Sequence, residues 1–559
     1  MSDLVRGREI FARAGLAEIP KLLTLQDRNR HSSTYGCFDR NYWHYKVIDF
    51  PSGMAQEFVW PLALAATLEL PDNPYRSNES LREWVSAGIL YAARSSHSDG
   101  SCDDYFPFER ALGAAAFSLL ACVEAYRLID MHSDEALEFF RRRASWLAHR
   151  HESGRLSNHH ALVALGLEVV SGLLPGNGFR SARDERITQL LSWQNSEGWF
   201  PEYEGFDPGY DTLTLSCLAR LHQSAPDARM EKAIRSSVSL LANFVHPDGS
   251  FGGEYGSRNT FNFFPHGFEL TGRWLPEALA INDRFLAGLN QGRAPCYSDD
   301  RIIGHHIWNY LLAARDYVTR QIDGGASSRE PGAAGSRTPA DARGVAGSPS
   351  SMVSEAERLH FKEAGIVIDR RETTKLYLAL KKGGNFKLFR DEKLILSDTG
   401  LSLRMRNGKT AVMHLADKYM CDLHTDRISV RGAMGWAKQE KMTPLKLILL
   451  RLINLSIGRL APDLVRSLLQ KLLITGKQTA PFQFARTLEW EGQQWKIVDR
   501  IEAESWQEVE AAGVGPDQTS TYVAMSRTFQ KGQLQPWIDL TEKVRALKNG
   551  EPLIIERIA

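Results

Sequence analysis

The chain lacks any stretch of about 18 consecutive uncharged apolar residues, so by the usual length argument no helix is expected to cross a membrane. Its first residues, MSDLVRGREIFARAG, lack the long apolar run of a secretion signal. An excess of one charge is missing too: 68 Lys and Arg face 67 Asp and Glu, a net charge of +1. No global field therefore favours nucleic acid, and no nucleic-acid partner is expected. The six cysteines (Cys37, Cys102, Cys122, Cys217, Cys296 and Cys421) are scattered and form no CxxC pair. That argues against a disulfide frame or a zinc site and fits reduced thiols. The histidines show no HxH or HExxH spacing, so no metal is expected. Together these absences lead us to expect a cytoplasmic protein.

What is present is enough for more than one core. With 559 residues, 43% hydrophobic and 24% charged, the chain reads as globular with two or three domains. Residues 324–351, GGASSREPGAAGSRTPADARGVAGSPSS, hold almost no large apolar side chain and read as a flexible linker. They divide the chain into residues 1–323 and 352–559.

The first part is helical. Leu81, Trp84, Val85 and Ile89 recur at helical spacing after a capping Asn78, and Ile234, Val238, Leu241 and Val245 do the same. RALGAAAFSLLACVEAYRLI, 110–129, is apolar nearly all round and reads as an inner, buried helix. The connections repeat as well. DFPSGMAQEF, HSDGSCDDYF, HESGRLSNHH, QNSEGWFPEY, HPDGSFGGEY and DDRIIGHHIW each centre on a glycine: Gly53, Gly100, Gly154, Gly198, Gly249 and Gly304, at intervals of 47, 54, 44, 51 and 55 residues. A period near fifty with two helical segments per period predicts stacked hairpins, and six of them close into an α/α toroid. One set of loops then gathers at one end and shapes a concave site. Aromatics there, Trp199 and Tyr255 among them, suit the flat C–H faces of sugar rings.

The second part alternates instead. GIVIDR, KLYLALKK, FKLFRD, GLSLRMR, KTAVMHLA and ARTLEWEGQQWKIVDRIEAE are short, period-two and punctuated by glycine turns, which predicts an antiparallel β-sandwich. One segment interrupts it. Residues 441–477 carry seven basic residues and one acid, Asp463, in leucine-rich turns broken near Gly458 to Pro462. Two amphipathic helices fit it. They either pack on the rest of the protein or make peripheral contact with an anionic membrane.

Several polar side chains fall in the expected loops. Asn158 and His159 open a helix in RLSNHHALVALG, where an amide and a helix N-terminus favour an anion; Asn158 also suits a helix cap. Tyr210, in DPGYDTLTL, follows Pro-Gly at the start of the next apolar helix and can give or take a proton. GGEYGSRNTFNFFPHGFE supplies Glu254, Tyr255, Arg258 and His266, and Arg258 can grip a carboxylate in bidentate fashion. His305 and His306 open the last repeat. Asn, His, Tyr and Arg on adjacent repeats suit β-elimination from a uronic acid: the carboxylate is neutralised, a base takes the C5 proton, and an acid protonates the leaving oxygen. No cofactor is needed.

The order of features resembles the heparinase II/III and alginate lyase superfamily, an α/α toroid followed by a β-sandwich. SNHHAL and DPGYDTLTL match the places where such lyases carry an Asn-His pair and, about fifty residues later, a tyrosine. The resemblance therefore implies Asn158, His159 and Tyr210 as site residues and an acidic polysaccharide as partner. YGCFDRNYWHYKVIDFPSGMAQEFVWPL is similar to bacterial proteins associated with exopolysaccharide production. Two other readings stand beside a lyase. An inverting glycoside hydrolase would draw two carboxylates from Asp103, Asp104, Glu109, Asp207, Asp211 and Glu254, roughly 6.5–9.5 Å apart. A non-catalytic glycan-binding factor would serve polymer assembly.

Overall fold

The computed structural model describes residues 3–152, 154–202, 205–296, 303–320, 357–416, 418–437, 443–470, 478–515, 529–530, 532 and 534–559. The expected linker, 324–351, lies outside the described residues, as does the last stretch of the 441–477 segment.

Six inner helices make a ring: α4 (Val59–Thr67), α6 (Leu112–Leu128), α8 (Ser157–Leu173), α10 (Pro208–Ser224), α12 (His266–Gly272) and α14 (Ile303–Arg315). Each packs on the next, and α14 closes back on α4. Outside them lie α1 (Asp3–Leu16), α5 (Glu79–Ser95), α7 (Asp134–His149), α9 (Phe179–Trp193), α11 (Ala228–Leu241) and α13 (Glu277–Asn290); two short helices, α2 (Ile19–Leu25) and α3 (Arg40–Trp43), fill the first connection. The division follows from composition. The inner α6 buries nearly every side chain, whereas α11 buries only one stripe, Met230, Ala233, Ile234, Ser237, Val238 and Leu241 among it. Asn78 caps α5, its side chain accepting from Leu81 N.

The loops before the inner helices share one turn. The N–H of Gly100, Gly198 and Gly249 donates to the carbonyl of His97, Asn195 and His246 respectively, and each of those residues donates to the carbonyl of Ser101, Trp199 and Ser250. Gly100, Gly154, Gly198 and Gly249 all have positive φ, from 77° to 98°. A Cβ on Gly100, Gly198 or Gly249 would also lie within 2.7 Å of the backbone of α7, α11 or α13. The repeat is thus a backbone requirement. The outer two glycines do not share it: Gly53 has φ −71°, and Gly304 sits within α14.

The C-terminal part has two antiparallel sheets. β1 (Glu357–Phe361), β2 (Ile366–Arg371), β3 (Thr374–Ala379), β4 (Asn385–Arg390) and β5 (Lys393–Asp398) pair in sequence order. The second sheet holds β6 (Leu401–Met405), β7 (Thr410–Val412), β8 (Met420–Leu423), β9 (Arg427–Trp436), β10 (Thr479–Glu491), β11 (Gln494–Ala503), β12 (Val509–Val514), β13 (Ile538–Asp539) and β14 (Leu553–Ile558). Its order is β13-β12-β6-β7-β9-β10-β11-β14, with β8 paired to β9. Alternation assigns the faces of the first sheet. Val367, Leu376, Leu378, Phe386 and Leu388 join the core of the second sheet, whereas Ile366, Ile368, Tyr377 and Phe389 join the core of the toroid. The first sheet is therefore buried on both sides, and all but one residue of each of β2, β3 and β4 is buried, polar residues included.

Between β9 and β10 the segment at 441–477 forms α15 (Pro444–Ile453), a single π-helical turn at Asn454–Gly458, and α16 (Pro462–Gln470). The break falls at Gly458 to Pro462, as glycine and proline dictate.

Candidate functional site

The loops before α10 and α12 meet the first sheet, and one residue organises the neighbourhood of α10. Asp207, fully buried, caps the helix: its Oδ1 accepts from Tyr210 N at 3.2 Å. The same oxygen accepts the Thr260 hydroxyl, while Oδ2 accepts from Arg258 N at 2.9 Å and Thr260 N at 3.4 Å. The next loop is thereby laid flat against α10. A Cβ on Gly209 would lie 2.3 Å from Thr260 Oγ1, so the Pro-Gly step is needed for the approach. Lysines of the first sheet hold the same loop from the other side. Lys382 Nζ donates to Glu254 O at 3.1 Å, to Gly256 O at 2.7 Å and to the Asn259 side chain; burial pulls its pKa down to about 8, with Asp207 and Glu254 opposing.

Held this way, the Arg258 guanidinium lies over the Tyr210 ring, 4.6 Å from its centre. Arg258 Nη1 is 3.5 Å from Glu202 Oε2, and Glu202 Oε1 accepts from Asn158 N at 3.0 Å and Nδ2 at 2.8 Å. The carboxylate faces the first turn of α8, where the helix dipole and a free N–H favour an anion. Ser157 docks that turn onto the same loop, its hydroxyl donating to Pro201 O at 2.7 Å. Burial raises the pKa of Glu202, while Arg258 and Asn158 act to lower it. His159 follows, partly exposed, with Nδ1 2.6 Å from Glu152 Oε2. Gly113 makes room beneath it, since a Cβ there would lie 2.7 Å from the imidazole. Burial pulls the His159 pKa down to about 4, with Glu202 opposing and Arg258 adding to the drop. The Glu152 carboxylate acts the other way, and in the neutral ring a proton on Nδ1 directed at Glu152 leaves Nε2 as the acceptor.

Asn158, His159, Tyr210 and Arg258 thus come together. Asn158 is not the helix cap, which falls at Leu156; it sits in the first turn of α8 and uses its amide to hold Glu202. The other expected residues lie elsewhere. His266 is buried: α12 starts beside the middle of α14, where His266 N donates to Asn309 Oδ1, and its Nε2 is 2.7 Å from Asp316, beyond the far end of α14. His266 therefore takes no part in the cluster of Asn158, Glu202, Arg258 and Tyr210. Tyr255 is no sugar platform, because its hydroxyl bonds His246 Nε2 at 2.9 Å and its ring stacks on Tyr377 inside the joint between toroid and sandwich. Glu254 is buried against Lys387, 3.5 Å away. Trp199 is half-buried at the same joint, its indole N–H donating to Glu197, whose carboxylate accepts from Glu363 N and Ala364 N. Asp104 is buried and accepts the Ser52 hydroxyl at 2.5 Å. His305 Nδ1 is 3.0 Å from Glu57, and His306 stacks on Phe264. Among the described residues no three His, Cys, Asp or Glu side chains gather as metal ligands.

Each carboxylate nominated for a hydrolase has a structural task. Asp103 accepts from Phe108 N and Arg110 N, Glu109 from Asp104 N and Tyr105 N, and Asp211 from Phe200 N. Asp104, Asp207 and Glu254 are engaged as described.

Asp211 offers a pH test. Burial pushes its pKa well above the ordinary 3.8, against the bond from Phe200 N. A carboxyl whose folded pKa exceeds its unfolded value binds its proton more tightly in the native state. Its contribution is full below the unfolded value and is lost as pH rises through the folded one, at about 1.4 kcal/mol per pKa unit of separation. Asp211→Asn keeps the acceptor for Phe200 N and removes the titration. Thermal melts recorded from the ordinary carboxyl range upward in pH should fall less steeply for the variant than for the wild type.

No family model matches the chain, and no curated protein matches it. Among solved structures, a Paenibacillus xanthan lyase is similar at 10% identity and TM-score 0.48, covering 92% of this chain and 47% of its own. This chain thus spans about half the length of that lyase. A Streptomyces coelicolor chondroitin AC lyase shows 9% identity and TM-score 0.46, covering 91% of this chain and 68% of its own. A Bacillus thermoamylovorans cellobiose 2-epimerase shows 12% identity and TM-score 0.43, covering 56% of this chain and 100% of its own. Their activities belong to those proteins; the chemistry of this chain rests on its own residues.

Proposed function

We propose that this chain cleaves a uronic-acid-containing polysaccharide, with a bacterial exopolysaccharide as the first candidate, by β-elimination. The observation that carries the reading is the unbroken contact from Asn158 through Glu202 and Arg258 to Tyr210, with His159 beside it, where inner helices begin. In the reaction the C5–H bond breaks, its electron pair forms the C4=C5 double bond, the C4–O bond breaks, and the leaving oxygen takes a proton. Arg258 supplies the positive charge that neutralises the uronate carboxylate as negative charge spreads into it. Tyr210 and His159 share the two proton transfers. Asn158 positions Glu202, and Glu202 holds Arg258 until a substrate carboxylate competes for it. Burial helps that exchange, because a Glu202 with a raised pKa takes up a proton more readily.

The test is a panel of uronic-acid polysaccharides, bacterial exopolysaccharides included, followed by ultraviolet absorbance and product mass. A lyase leaves an absorbing, unsaturated sugar end and adds no water; a product heavier by one water overturns the reading. One observation favours a second reading, glycan binding without turnover in polymer assembly: Glu202 already fills the amide of Asn158. Binding to a polymer that stays intact would select it.

A further inference from the structure

The α15–α16 hairpin is turned inside out. Ten Leu and Ile side chains between Leu445 and Leu468 are each at least 47% exposed, Leu460 87%, and α15 buries none of its residues. A helix apolar on nearly all sides is expected inside a protein or a membrane, and a patch this long exceeds what a monomer leaves bare. The polar groups do the opposite of solvating it. Arg451 pairs with Asp49 and lies over Phe50, Arg459 lies over Phe108, and Asp463 pairs with Arg150. Asp49, Phe50, Phe108 and Arg150 belong to the loops before α4, α6 and α8, so the hairpin straps the mouth end of the toroid by its charges and presents its leucines outward. The gripped loop adds Tyr45 and Val47, exposed at 56% and 70%.

We propose that this outward face docks the protein onto an anionic membrane surface, with the mouth of the toroid held toward the bilayer. The charge pattern selects lipid over a second copy of the chain. Residues 441–477 carry seven basic residues and one acid; Arg451 is paired with Asp49 and Asp463 with Arg150, so no acid of the segment offsets the other six cations. A two-fold contact would set cation against cation, whereas anionic headgroups attract them. Among the described residues no helix is long and apolar enough to span, so the hairpin lies in the interface plane.

The test is co-sedimentation of the full chain with phosphatidylglycerol-containing vesicles and with pure phosphatidylcholine vesicles. The wild type should pellet with the anionic vesicles and stay in solution with the neutral ones. The triple variant Leu449→Glu, Leu452→Glu, Leu460→Glu alters only exposed positions, none of them a residue of the proposed site, and should lower partitioning by at least about 10-fold with an unchanged melting temperature. Raising the salt concentration should weaken binding to the anionic vesicles as well, a readout independent of the leucines. The proposal is overturned if anionic vesicles do not pellet the wild type, if the triple variant pellets equally, or if the wild type sediments as a dimer that the triple variant converts to monomer.

Discussion

Tyr210→Phe is expected to lower turnover of a uronate polymer by about 10²–10⁴-fold, the worth of one positioned proton-transfer group. Everything else about the position should survive. Asp207 bonds the backbone N of residue 210, not its side chain, so the start of α10 is kept. The ring that Arg258 covers at 4.6 Å is also kept. Only the phenol oxygen goes. The loss should therefore fall in kcat, with KM and melting temperature close to those of the wild type, because an interaction that matters in the transition state alone leaves ground-state binding intact. A variant that turns over at the wild-type rate removes Tyr210 from the chemistry. A variant that binds polymer as the wild type does, in a protein that never cleaved it, supports the binding role.

Much of the fold was legible because it is periodic. The glycine turns repeat since each presses against the backbone of an outer helix, and such a requirement leaves the same residue type at the same spacing. Asn158, His159 and Tyr210 come near one another because they lie in the first turns of α8 and α10, two inner helices that pack together. The misplaced residues fail for a shared reason. Glu254, Tyr255 and Trp199 sit in the right loops, but these loops also carry the joint with the first sheet, and polar or aromatic side chains at a buried joint look like ligand contacts in a sequence. His266 fails because α12 starts beside the middle of α14, a shift that leaves no mark in hydrophobic spacing. Glu202 and Glu152 carry no motif at all. They are recognised only by what they touch, Asn158 and Arg258 in one case and His159 in the other. Lys382 was equally hidden, since nothing in a β-hairpin turn announces that its lysine reaches another domain. Asp207 did carry a signal, the Asp-Pro-Gly of a capped helix, but its second task, holding the loop of Arg258, needed the structure.

That second task gives the other large expected effect. Asp207→Ala removes the acceptor for Tyr210 N, Arg258 N, Thr260 N and the Thr260 hydroxyl in a fully buried position. Loss of a cap costs about 1 kcal/mol, and each donor left buried without a partner costs about 1–3 kcal/mol, offset where the loop relaxes toward water. A loss of about 3 kcal/mol is expected by chemical denaturation. Activity should fall by about 10²-fold beyond that, because Arg258 is no longer pinned over Tyr210 and a displacement of about 1 Å costs that much. Asp207→Asn separates the two tasks. Its remaining oxygen still caps α10 through Tyr210 N, but an amide nitrogen now faces Arg258 N, donor against donor. Stability should drop less than in the alanine variant, while KM for the polymer rises, since the misplaced group is the one proposed to receive the carboxylate. Equal losses of stability in the two variants with no change in KM would mean that Asp207 serves the fold alone, and that Arg258 keeps its position through Glu202 and the clamp of Lys382.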